Sequence, residues 1–134
     1  MQYSSSFSMH MIQSLGQIAL TVRDVERSVE FYRDDIGLRF LFAPAPSLAF
    51  LMIGDVRLML SAAEGEFTPG GSTVLYLRVA DIDAGYAALA ARGVSFIDAP
   101  HLVARMPDHE LWMCFFRDPD AHTLALMCER RPAA

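Results

Sequence analysis

The 134-residue chain is the size of one domain, and 53% hydrophobic with 20% charged residues describes a globular fold with a substantial core. A formal net charge of -5, with no run of Lys or Arg, argues against nucleic acid and anionic membrane surfaces as partners. No stretch approaches the roughly 18 uninterrupted apolar residues of a membrane span.

Residues 1–14 are rich in Ser and Met but lack a basic start and a continuous apolar core, so they read as a poorly ordered leader or arm rather than a signal peptide. A single domain is expected over residues 15–130. Ile18, Leu20 and Val22 alternate as in a strand, and Asp24 is suited to cap the helix that follows. Val25, Val29 and Tyr32 then fall on one helical stripe, which ends at Gly37 in the C-cap position. Leu38, Arg39 and Phe40 begin a second strand. Leu48 to Ile53 and Val56 to Ser61 form two more, joined by a Gly54-Asp55 turn. Glu64 to Pro69, with Gly70 and Gly71, form a connection without periodicity.

The same order then returns. Leu75, Leu77 and Val79 alternate, Asp81 caps, Ile82, Tyr86 and Leu89 form the stripe, and Gly93 stops the helix before Val94, Ser95 and Phe96. Leu111 to Phe116, an Asp118-Pro119-Asp120-Ala121 turn and His122 to Cys128 complete the second half. Asp24 and Asp81 lie 57 residues apart, as do Val22 and Val79, whereas Gly37 and Gly93 lie 56 apart. The chain is therefore expected to be an α+β fold of two βαβββ repeats, about 15–62 and 72–129, forming a curved mixed sheet. Each half leaves a sheet face bare, so the halves must pack together, within one chain or across a dimer.

Strand alternation separates an aliphatic face from a chemically mixed one. The mixed set comprises Gln17, Ala19 and Thr21; Arg57, Met59 and Ser61; Val74, Tyr76 and Arg78; and Thr123, Ala125 and Met127. Such a face suits the lining of a concave small-molecule pocket, and it equally suits the solvated side of an antiparallel sheet. Arg57 and Arg78 are natural partners for a carboxylate or phosphate. Trp112, with Phe40, Phe42, Phe50, Phe115 and Phe116, offers either ligand stacking or core packing. Cys114 and Cys128 lie in apolar alternating segments without a C-x-x-C spacing, as expected of buried thiols in a reducing cytoplasm.

The strand-Asp-helix-Gly unit with Phe31-Tyr32, its duplication, and the late Asp118-Pro119-Asp120 turn together resemble the vicinal-oxygen-chelate superfamily of glyoxalases, bleomycin-resistance proteins and extradiol dioxygenases. The resemblance covers roughly Leu15 to Glu129 and implies that superfamily's fold. In metal-dependent members it implies four ligands, often two His and two Glu, from the first and fourth strands of each half. Those positions here are Gln17, Met59, Val74 and Ala125, of which only Gln17 offers a donor for a hard cation. A metal-free site is therefore expected, and no cofactor is assigned.

A divalent metal remains conceivable only at a relocated site. His101, His109 and Glu110 match the donor count of a facial triad, and they are also the candidate acid-base residues. Adjacent strand residues point to opposite faces, so His109 and Glu110 share a cavity only if a loop or bulge intervenes. His122 is read as turn chemistry, with Ala121 a poor residue wherever the backbone needs positive φ.

Three functions follow as expectations. The first is a metal-free protein of the bleomycin-resistance type whose paired units, from a homodimer, enclose a small organic ligand contacted by Gln17, Thr21, Arg57, Met59, Tyr76, Arg78, Trp112 and Ala125. The second is an isomerase, lyase or dioxygenase using an ion or His/Glu chemistry. A purely structural or regulatory domain is the third alternative.

Overall fold

The computed structural model describes residues 11–132; most of the expected leader lies outside them. Met11 to Gly16 are exposed and irregular. The first strand, β1 (Gln17–Val22), buries Leu20 and Val22 and leaves Gln17, Ala19 and Thr21 outward. Asp24 then takes extended backbone and accepts the Arg27 N–H at 3.3 Å, starting helix α1 (Val25–Val29). In the second half, Asp81 accepts the Ala84 N–H at 3.1 Å and starts α2 (Ile82–Ala91). Gly37 (φ 80) and Gly93 (φ 90) take the left-handed conformation that ends each helix.

The first helix departs from the expected single α-helical stripe. After Val29 it widens into a π-helical turn over Glu30–Asp35, in which the Ile36 N–H reaches back five residues to the Phe31 carbonyl at 3.0 Å. A π turn accommodates one residue more than the α turn it replaces. That residue accounts for the drop from 57 to 56 in the repeat spacing. Leu38 N–H donates to the Tyr32 carbonyl six residues back, whereas Val94 N–H donates to Leu89 only five back. The wider turn lets the neighbours Phe31 and Tyr32 both face the core, where each is buried.

The four strands β1, β2 (Arg39–Ala45), β3 (Leu48–Ile53) and β4 (Val56–Ala62) form one sheet in the order β1-β4-β3-β2. Within it β1 runs parallel to β4 and the other pairs are antiparallel. The second sheet comprises β5 (Val74–Arg78), β6 (Ser95–Phe96), β7 (His101–Arg105), β8 (Glu110–Arg117) and β9 (Thr123–Arg130), ordered β5-β9-β8-β6 with β7 also on β8. The strand expected from Val94 is thus split. Its first piece is two residues long, the chain leaves the sheet after the Ile97 N–H bonds the Phe115 carbonyl at 2.7 Å, and β7 resumes on the same neighbour. The Asp98 carboxylate bridges the gap by accepting the Phe115 N–H at 2.7 Å. His101 to Trp112 is therefore mostly a β7–β8 hairpin, with His109 in its connection and Glu110 at the start of β8.

The helix-side faces of both halves share one core. Phe31 packs on Phe116 with ring centroids 6.4 Å apart, and Phe96 lies against Phe116 at 5.3 Å. Arg92 Nη1 donates to the Asp35 carbonyl across the halves at 2.9 Å, and a further set of polar contacts comes from the Asp118–His122 turn. Asp118 Oδ2 accepts the Tyr32 hydroxyl at 2.6 Å, while its Oδ1 accepts the backbone N–H of Asp120 and of His122. Asp120 in turn accepts the Arg23 N–H at 3.2 Å and the Ser28 hydroxyl at 3.4 Å. Both carboxylates are buried, so the supply of donors is what makes them tolerable. Burial first, and then the Asp118 charge, push the Tyr32 hydroxyl well above its ordinary pKa. Among the described residues, no helix is long and apolar enough to cross a membrane.

Tyr32→Phe removes a charge-assisted bond to a buried carboxylate and is expected to cost about 1.5–3 kcal/mol, read from the urea midpoint. In the native protein, the Tyr32 contribution is present below the unfolded-chain pKa of 10.0 and is lost as pH rises above it, because the unfolded chain releases a proton the folded chain keeps. The Phe variant should lack that part of the alkaline slope; an identical slope sinks the assignment. Ala121 is the one non-glycine residue at positive φ (63) among those described, so Ala121→Gly is expected to stabilise by about 1 kcal/mol. A lower melting temperature would show that the turn is not strained.

Candidate functional site

Residues paired across strands lie on the same face, so register defines the surface opposite the helices. On the first sheet Gln17 pairs with Arg57, Arg57 with Met52, Met59 with Phe50, and Phe50 with Phe42. Arg57 Nε donates to Gln17 Oε1 at 2.7 Å, and its guanidinium carbon lies 5.4 Å from the Phe50 ring centroid. The Gln17 amide also donates to the Met59 sulfur at 3.8 Å. Phe42 stacks on Phe50 at 5.1 Å and is 49% exposed, forming an open aromatic shelf beside the Arg57–Gln17 pair.

On the second sheet Tyr76 and Phe115 flank Ala125 in register. Their rings meet edge to face at 6.0 Å, and Ala125 is fully buried. The His101 ring lies 6.4 Å from Phe115, on the same face. His101 Nδ1 sits 2.9 Å from the Ala99 carbonyl. A carbonyl only accepts, so Nδ1 carries the proton and Nε2 of the neutral ring is an acceptor. Arg78 shares this face through Met127 and Met113.

The structure thus places Gln17, Thr21, Arg57 and Met59 together on one concave face, and Tyr76, Arg78, Ala125 and His101 on the other. Trp112 is a correction. It has the same strand parity as buried Cys114 and Phe116, packs against the core, and lies under the Arg130 guanidinium at 4.3 Å. That position is on the helix side, away from the other expected ligand contacts.

His101, His109 and Glu110 are not brought together either. Glu110 shares the helix-side face with Trp112, accepting its indole N–H at 3.1 Å and pairing with Arg105 at 2.6 Å. His109 lies in the hairpin end, where its Nδ1 is 2.8 Å from Asp108 and Nε2 is 4.0 Å from Glu129. Hydrogen bonds from His109 and then Arg131 hold the Asp108 carboxyl below its ordinary pKa. Among the described residues no three His, Cys, Asp or Glu side chains gather as a metal would need.

Phe42, Phe50 and Phe115 are the concave residues that the sequence left undecided. Phe115 and Phe116 are adjacent, so one faces each way. Phe40 and Phe42 have the same parity, yet Phe40 pairs with Leu51 and packs on the core while Phe42 pairs with Phe50, because a register shift lies between them. No sequence signal marks that bulge.

The four positions implied for metal ligands do not fit a metal. Gln17 already accepts from a guanidinium, Met59 offers a thioether, Val74 offers nothing, and Ala125 is sealed beneath two rings. The positive Arg57, bonded to Gln17, would in addition repel a cation at that corner.

The first strands of the two sheets, β1 and β5, each end their sheet, so neither is paired on its outer side. A cleft of about 600 Å³ runs along β5, lined by Leu38, Ile53, Tyr76, Arg78 and Met127 among others. Another of about 410 Å³ lies between β1 and the start of β5, lined by Ile18, Thr21, Phe67, Leu75 and His122 among others. Arg57 and Gln17 line neither, and their face is open to solvent in a single chain.

Comparison with known proteins agrees with this architecture. The chain is 28% identical over 128 residues to an uncharacterised protein, YraH, of Bacillus subtilis (strain 168), covering 84% of this chain and 95% of that protein. A superfamily member from Sphaerobacter thermophilus superposes with a TM-score of 0.70 at 28% identity, covering 89% of this chain and 99% of its own. A putative glyoxalase family protein from Bacillus anthracis superposes at 0.74 with 19% identity, covering 90% and 98%. Residues 14–126 match the model of the Glyoxalase/Bleomycin resistance protein/Dioxygenase superfamily, and the chain belongs to that superfamily.

Proposed function

We propose that this chain is a metal-free small-molecule-binding protein of the bleomycin-resistance type, acting in the cytoplasm as a homodimer. The observation that carries the reading is the open concave face. It presents an aromatic shelf and a clamped Arg57–Gln17 pair to solvent, while the other face is sealed under the helices. An organic ligand needs walls on most sides, and one chain supplies only half of them here. The open concave faces of both halves support the dimer, since a second copy can close one such face over the other. The buried thiols of Cys114 and Cys128 support a reducing compartment.

A second reading, an isomerase or lyase of the same superfamily, rests on His101. Its Nε2 acceptor lies on the concave side next to Phe115 and Tyr76, where a bound substrate could lose a proton to it.

Light scattering on the full chain is expected to give twice the 14.9 kDa chain mass, and a strict monomer overturns the dimeric pocket. Protein prepared without chelator should carry far less than one transition metal per chain, with a melting temperature indifferent to EDTA. One metal per chain would sink the metal-free reading. If catalysis occurs, His101→Ala should lower kcat about 100-fold with folding intact; full turnover in that variant removes His101 from the chemistry.

A further inference from the structure

We propose that Arg57 takes over the electrostatic task a metal performs elsewhere in the superfamily, and that the ligand it receives is an aromatic carboxylate. The inference rests on the small-molecule reading above and names the chemistry of that same site. Four observations carry it.

First, the guanidinium is held rather than free. Its Nε is bonded to Gln17 Oε1 at 2.7 Å and its plane lies near Phe50, so the outer edge with both terminal nitrogens is aimed by the protein and not by solvent. Second, those terminal nitrogens have no partner among the described residues, and the carboxylate nearest in sequence, Asp55 in the adjoining turn, forms no ion pair with Arg57. Third, none of the four strands of this sheet contains an Asp or Glu, although the chain carries 16 of them. A second arginine, Arg39, lies on the same face two strands away, across Met52 of β3. An acidic protein thus presents a locally cationic surface, which favours an anion over a neutral or cationic ligand. Fourth, the charge adjoins a flat apolar surface. The stacked Phe42 and Phe50 rings offer a ledge for a planar group attached to that anion.

A carboxylate suits the geometry because the two terminal nitrogens form a planar fork that matches two coplanar oxygens. Gln17 adds specificity through its role as clamp. It occupies a position where the superfamily places a metal ligand, but here its oxygen orients a cation already bonded to the chain. Gln17 is therefore a positioning residue, and Arg57 makes the contact.

The test uses the full chain labelled with nitrogen-15, following the Arg57 Nε–H resonance during titration with benzoate, benzamide and acetate. Benzoate is expected to shift that resonance saturably, with benzamide and acetate at least about tenfold weaker. Arg57→Gln should weaken benzoate at least about tenfold, followed by backbone resonances of β1 and β4 with an unchanged urea midpoint, and Arg57→Lys should fall between. Phe50→Leu should weaken benzoate but not acetate. Benzamide binding as well as benzoate, undiminished benzoate binding by Arg57→Gln, or no saturable benzoate response overturns the proposal. If the dimer forms and takes neutral aromatics equally well, the pocket stands and only the charge assignment falls; a monomer that binds no organic molecule removes both.

Discussion

The hydrogen bond from the Tyr32 hydroxyl to the buried Asp118 carboxylate sets the relation between the two halves. Asp118 belongs to the turn that ends β8, and Tyr32 to the helix of the other repeat. A carboxylate sealed from water is stable only when its oxygens are supplied with donors, and every donor here has a fixed position. The second carboxylate of the turn, Asp120, reaches Ser28 and the Arg23 backbone on the same helix and its approach. His122 adds a third tie, its Nε2 lying 2.8 Å from the Thr21 carbonyl on β1. Together these bonds dock the first helix onto the second sheet.

That docking decides which surfaces remain for function. With the helix-side faces committed to one shared core, the mixed faces of both sheets turn outward, and clefts between the halves run beside β1 and β5. The site is therefore a surface built on rigid strands, not a preformed hole. Its two halves differ in character. One has a charged, amide-clamped corner at Gln17 and Arg57, where the duplicate half carries Val74 and Thr123; the other has a lid of Tyr76 and Phe115 over Ala125, where the first half carries Ala19, Phe50 and Met59.

Much of this was legible in the residues. The capping aspartates, the left-handed glycines and the alternating strands all have local causes, and the duplication doubled each signal. The 57-to-56 change in spacing was visible, but its meaning was not, because a π turn and an ordinary loop insertion leave the same arithmetic. Alternation placed Gln17, Arg57 and Tyr76 correctly. It also held the evidence against Trp112, two and four residues from Cys114 and Phe116, since equal parity puts all three on the buried side. The split of the strand after Val94 and the bulge between Phe40 and Phe42 depend on tertiary pairing with β8 and β3, for which no local residue pattern is sufficient. The gathering of His101, His109 and Glu110 in sequence misled for a similar reason: the hairpin separates neighbours by face and by depth.

The π turn at Glu30–Asp35 also shows where this architecture tolerates a change of length. An added residue there is absorbed as a local widening between a capped start and a glycine stop, so the strand that follows enters its ladder undisturbed. One residue gained within β3 would instead invert the facing of every side chain beyond it. A helix interior is thus a place, alongside strand bulges and hairpins, where one half of a duplicated chain can drift from its twin without losing the common sheet geometry.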